Sequence, residues 1–150
     1  MQPSGKDGIF LKSPDRHWIV IIFIFTGGAL GTLLRYTINV QTSLLLFPWG
    51  TLLENLAGSL LLGFLTGYIL KRTIQPHFKE GIGVGFCGGF TTMSTLAADT
   101  VFLAETGSAA STMVYIFSSM FGGMFLALAG MTLGSLAAGR GIKEKGEGQR

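Results

Sequence analysis

Four apolar blocks alternate with short polar stretches along the chain, at residues 18–34, 51–70, 81–103 and 112–138. Each is long enough to cross a ~30 Å hydrocarbon layer at about 1.5 Å per residue, so the pattern predicts an all-α membrane protein with four transmembrane helices in one domain. The third block breaks its own pattern. Gly88-Gly89-Phe90-Thr91-Thr92-Met93-Ser94-Thr95 puts two glycines and four hydroxyl side chains near its midpoint. An unsatisfied peptide group in lipid costs several kcal/mol, so backbone there leaves the helix only where protein or water shelters it. We therefore expect helix three to be broken at the midplane. Such a break serves as an ion site in many transporters. The competing reading is a glycine face that admits a neighbouring helix, with each hydroxyl bonded back to its own helix.

Small residues recur every four positions, at Gly27 and Gly31, Gly63 and Gly67, Gly81, Gly85 and Gly89, and Gly130 and Gly134. Rows of this kind let helix backbones touch, which predicts tight packing of the bundle. Polar residues inside the other blocks are few. In the second, Thr51, Asn55 and Ser59 share a face at i, i+4, i+8, while Glu54 is turned about 100° from Asn55. An asparagine amide at this depth is interhelical glue or a pore contact. An ionised Glu54 in hydrocarbon would cost roughly 2.5–3.5 kcal/mol, so it is expected near the outer vestibule, protonated, or paired, with Arg35 the partner suggested by depth. In the fourth block Tyr115, Ser119 and Gly123 form a stripe that suits either helix packing or an ion path. The first helix is expected to end with the run Gly27–Tyr36, Arg35 lying about one turn inside the interface, either as an anchor with Tyr36 or as an ion contact.

Composition agrees with the pattern. Hydrophobic residues make up 48% of the 150 and charged residues 13%, with a mean hydropathy of +0.51, which excludes an ordinary soluble domain. An even number of spans places both termini and the link between helices two and three on one face. Ten of the eleven basic residues fall on that face, leaving only Arg35 opposite, so the positive-inside rule makes the termini cytoplasmic. Residues 1–15 and 140–150 read as disordered tails flanking a membrane domain at 16–139, and the basic tail is not expected to bind nucleic acid. Cys87 is the only cysteine, and neither His17 nor His77 has metal-site or triad spacing, so no enzymatic constellation is present.

Several motifs, in order, resemble the small bacterial fluoride channels, the Fluc or CrcB family. They are Gly27-Gly28-x-x-Gly31-x-x-x-Arg35-Tyr36, Gly50-Thr51-Leu52-x-x-Asn55-x-x-Gly58-Ser59, Gly85-Phe86-Cys87-Gly88-Gly89-Phe90-Thr91-Thr92-x-Ser94-Thr95, and Tyr115-x-x-x-Ser119. The third is the most specific. The resemblance implies an antiparallel dimer of four-helix subunits embedded in membrane lipid, with narrow pores for the fluoride ion and a structural Na+ at the dimer centre. By position, backbone carbonyls of Gly88 and Thr91 would hold the sodium. Asn55, Ser94, Thr95, Tyr115 and Ser119 would line or border the pore, and Asp99 takes the place of an acidic residue common in the family.

Where the family has two pore phenylalanines, this chain has Met93 and Leu96. A phenylalanine edge is electropositive and suits an anion, whereas leucine offers no such edge and methionine mainly a polarizable sulfur. The charge bias points the same way, because a dimer of opposed identical subunits needs a chain that inserts both ways round. The expectation is one half of a heterodimer, paired with an oppositely oriented homologue that supplies the aromatics. Two other readings stay open: a proton-coupled exporter resembling the small multidrug transporters, with Glu54 as its carboxylate, and a nonconducting subunit that stabilises its partner.

Overall fold

The computed structural model describes residues 15–147, and the side chains of 17–139 within them. Every described element is helical: α1 (Asp15–Thr42), α2 (Trp49–Ile69), α3 (Pro76–Glu80), a π-helical stretch (Gly81–Cys87), α4 (Gly88–Phe90), α5 (Met93–Thr106) and α6 (Ala109–Glu147). Three of them, α1, α2 and α6, contain stretches long and apolar enough to cross a membrane, at His17–Thr42, Trp49–Ile69 and Ala109–Gly139. This is a multi-pass membrane protein.

Two helices differ from expectation at their ends. α1 does not stop at Tyr36 but continues to Thr42. Thr37 and Thr42 return their hydroxyls to the carbonyls of Leu33 and Ile38, so polar residues there are compatible with continued helix. At the other end of the chain α6 runs on to Glu147, past the expected boundary at residue 139. Disorder expected in residues 1–14 and 148–150 falls outside the described residues.

The glycine rows set the packing. Gly27 and Gly31 lie against the backbone of Gly81, Phe86 and Phe90, and Gly85 and Gly89 lie against Ile24 and Gly28. A second seam joins α2 to α6, where Gly63 and Gly67 meet the backbone of Ala127 and Met131, and Gly130 and Gly134 meet that of Leu60 and Phe64. No Cβ fits at these positions without moving a backbone. In both seams residue numbers rise together, so α1 runs parallel to the π-helical stretch and α2 runs parallel to α6. Large apolar side chains such as Phe25, Leu30, Phe121 and Phe125 project outward, as expected of helices solvated by lipid.

Between α4 and α5 the helix stops. Thr91 and Thr92 are extended, with φ/ψ of −81°/154° and −150°/127°. The glycines do not cause the interruption directly, because Gly88 is helical at φ/ψ −66°/−34° and no glycine has a positive φ among the described residues.

Candidate ion path at the helix interruption

A two-residue interruption leaves peptide groups without helical partners, and one side chain answers most of that demand. In a continuous helix the Thr92 N–H would bond to the Gly88 carbonyl. Here it donates to Asn55 Oδ1 at 2.8 Å, while Asn55 Nδ2 donates to the Thr92 carbonyl at 3.0 Å. The amide thus pairs with both backbone polar groups of one residue, Thr92, as a neighbouring β-strand would. Thr92 then starts α5: its Oγ1 accepts from the Thr95 N–H at 3.2 Å, the usual N-cap bond. The same hydroxyl lies 3.1 Å from both Ser94 Oγ and Thr95 Oγ1. Upstream, the N–H and the hydroxyl of Thr91 both donate to the Cys87 carbonyl, at 3.0 and 2.9 Å.

A groove of about 700 Å³ runs along this interruption, between α2, the glycine-rich segment and α6. Lys79 and Glu80 stand among its lining residues and form the only ion pair among the described residues, at 3.5 Å. The lining also includes Gly88, Thr91, Thr92, Asn55 and Ser119, together with Met93 and Leu96. Met93 is 75% exposed, and Gly88 has open space where a side chain would be. Ser119 is buried and its hydroxyl has no partner among the described residues.

The sequence-derived residues therefore fall into two groups. Asn55, Met93, Leu96, Ser119, Gly88 and Thr91 share the groove, and Ser94 and Thr95 gather around Thr92 at its edge. Tyr115 lies apart, fully buried, and donates its OH to Asp99 at 3.0 Å. The depth argument for Glu54 needs correction. Its partner is not Arg35 but Asn39, whose Nδ2 donates to Glu54 Oε2 at 3.2 Å, because the extended α1 brings Asn39 over α2. Thr92 and Asn39 are the residues missed by sequence reasoning. A Thr-x-x-Thr spacing before an apolar run signals an N-cap for the first, whereas the second follows only from the true length of α1.

Across residues 22–131 the chain matches the family described as CrcB-like protein, Camphor Resistance (CrcB). It belongs to the CrcB family. Three curated relatives are similar over much of their length. A protein named Fluoride-specific ion channel FluC 2 from Halalkalibacterium halodurans is 48% identical over 124 residues, covering 83% of this chain and 92% of the relative. The FluC 2 of Bacillus subtilis is 44% identical, covering 81% and 95%. A protein named Fluoride-specific ion channel FluC 1 from Desulfitobacterium hafniense is 44% identical over 96 residues, covering 63% and 84%. The CrcB match begins inside α1 and ends inside α6, so it includes the first glycine seam, the interruption and the second seam as far as Met131.

Proposed function

We propose that this CrcB-family chain is a subunit of a fluoride-specific channel that lets fluoride leave the cytoplasm passively. The observation that carries the reading is the interruption at Thr91–Thr92, held open by Asn55 and bordered by the groove. Fluoride is small and strongly hydrated, and a path that strips its water must offer hydrogen-bond donors in return. Hydroxyls of Thr92, Ser94, Thr95 and Ser119 are of that kind. A negative interior drives an anion outward by about 2.3 kcal/mol per charge per 100 mV, so no energy-coupling residue is needed.

On this reading the segments 76–90 and 93–106 together make the third of four crossings, interrupted at mid-depth. The two parallel seams suit four alternating crossings, with both termini cytoplasmic and Arg35 near the outer face. The groove then faces an antiparallel partner. Its residues also fit a structural Na+ there: the Gly88 carbonyl has lost its helical donor to Asn55, and Thr91 is extended just beyond the helix end. Carbonyls of Gly88 and Thr91, with those of the partner subunit, would hold the ion, whose charge would offset their partial negative charge where two interrupted helices meet.

Met93 at the groove and the one-sided distribution of lysine and arginine favour a heterodimer with an oppositely biased homologue. The numbered names of the relatives, FluC 2 and FluC 1, are in keeping with paired genes. The exporter reading loses support from the placement of Glu54, which is buried beside Asn39 and is not among the groove-lining residues. Efflux from liposomes, followed with a fluoride-selective electrode, tests the proposal. Chain and partner together are expected to release fluoride and retain chloride. Equal release of both anions, or no release of fluoride, contradicts it, and release by the chain alone contradicts the heterodimer.

A further inference from the structure

Among the described residues, Glu54 is the one buried charged residue, and the proposed path leaves it without a task. It is fully buried in α2. Oε2 accepts from Asn39, and Oε1 is buried with no hydrogen-bond partner among the described residues. The titratable and charged groups facing it are Arg35 from α1, Asp99 from α5 and Tyr115 from α6. None of them forms an ion pair with it. Beside this cluster lies a separate polar cavity of about 150 Å³, lined in part by Asn39, Thr42, Thr51 and Asp99.

Two carboxyls sharing one poorly solvated region resist carrying two negative charges together, and an uncompensated buried charge is costly. The region therefore calls for one added positive charge. A metal ion is the weaker candidate, because no group of three or more His, Cys, Asp or Glu side chains gathers among the described residues. A proton needs only the bare Oε1.

We propose that Glu54 is a proton-binding group reached from the outer face through the Asn39–Asp99 cavity, and that its protonation state sets how readily anions pass Asn55. The inference rests on the fluoride-channel reading. Glu54 precedes Asn55 in the chain, so its charge lies close to the interrupted helix. When ionised, the carboxylate accepts hydrogen bonds only and repels an anion. Once a proton from the outside water binds Oε1, the group becomes a neutral O–H donor. External acid favours entry of fluoride as its neutral acid, so the drain would open widest when the load is greatest.

The test uses the chain with its oppositely biased partner in liposomes, at fixed internal pH, with the leak from protein-free liposomes subtracted. Fluoride efflux is read as the outside is stepped from mildly alkaline to mildly acidic. The wild-type rate is expected to rise several-fold per pH unit, below the limit of about tenfold for a single proton. Glu54→Gln keeps the shape and the oxygen that faces Asn39, and is expected to hold the acid rate at every pH. A Glu54→Gln profile that rises in parallel with the wild type overturns the inference, as does a rate that follows external sodium at constant pH. Infrared difference spectra of the same complex give a readout independent of conduction. A protonated-carboxyl band that changes with external pH and vanishes in Glu54→Gln is expected, and the lack of such a band overturns the inference. Vesicles that release no fluoride at any pH count against the channel reading alone, and the infrared result still decides the role of Glu54.

Discussion

The two ends of the α2–α6 pair are built from opposite materials. Toward the C-terminal ends of both helices, Gly63, Gly67, Gly130 and Gly134 bring backbone against backbone, with no polar side chain in the contact. Toward the N-terminal ends the same helices bury Thr51, Glu54, Tyr115 and Ser119, and two of those side chains keep an oxygen without a partner. The glycine end is complete in itself: lipid-embedded helices need only close van der Waals contact, and small residues supply it. The polar end is not complete, and an unpartnered buried oxygen costs roughly 1–3 kcal/mol. Retaining that cost makes sense where the group meets something the chain does not itself contain, here an anion or a proton.

The glycine end should break first and hardest. Gly63→Leu forces a branched side chain into the backbone of Ala127. Overpacking costs typically 1–3 kcal/mol even where neighbours can adjust, and backbone adjusts least. We expect no monodisperse peak in size-exclusion chromatography of the variant. At the polar end the largest effect is a gain. Met93→Phe with Leu96→Phe should raise fluoride efflux of the paired channel up to about twofold, the result for a silent second path made active by its aromatic edges. An unchanged rate would locate the defect elsewhere than in those two side chains.

Reading the sequence alone captured the glycine seams, because a four-residue period depends only on helix geometry. The glycine- and hydroxyl-rich run Gly88–Thr95 is conspicuous in an apolar block, and Thr91 and Thr92, the two extended residues, lie within it. What sequence reading missed depended on contacts between distant residues. The break falls on Thr91 and Thr92 and not on the glycines, because Asn55, in another helix, offers a donor and an acceptor that match the N–H and C=O of one residue, Thr92. Likewise Asn39 entered the Glu54 cluster only because α1 continues beyond Arg35 to Thr42.

Smaller effects sharpen the same contrast. Thr92→Val removes the N-cap of α5 while keeping its shape. A loss of about 1 kcal/mol is expected. It should appear as a lower unfolding temperature in detergent, with slower efflux in liposomes. Gly88→Ala should do least of all, changing stability by no more than about 0.5 kcal/mol, since nothing lies within 4 Å of the added carbon. The carbonyl assigned to sodium is untouched by this change. By contrast, Gly89→Ala meets the backbone of Gly28 and should resemble Gly63→Leu in a milder form.

The central claim is that fluoride passes where Asn55 holds the third segment open. The most direct measurement is fluoride efflux from liposomes containing the partner together with either the wild-type chain or Asn55→Leu, compared at equal protein content. Asn55→Leu removes both part-buried bonds to Thr92, and each group left without a partner costs up to about 1–3 kcal/mol. The account predicts that efflux falls by more than about tenfold while the complex still elutes as a folded dimer. Wild-type efflux from a folded Asn55→Leu complex would contradict it.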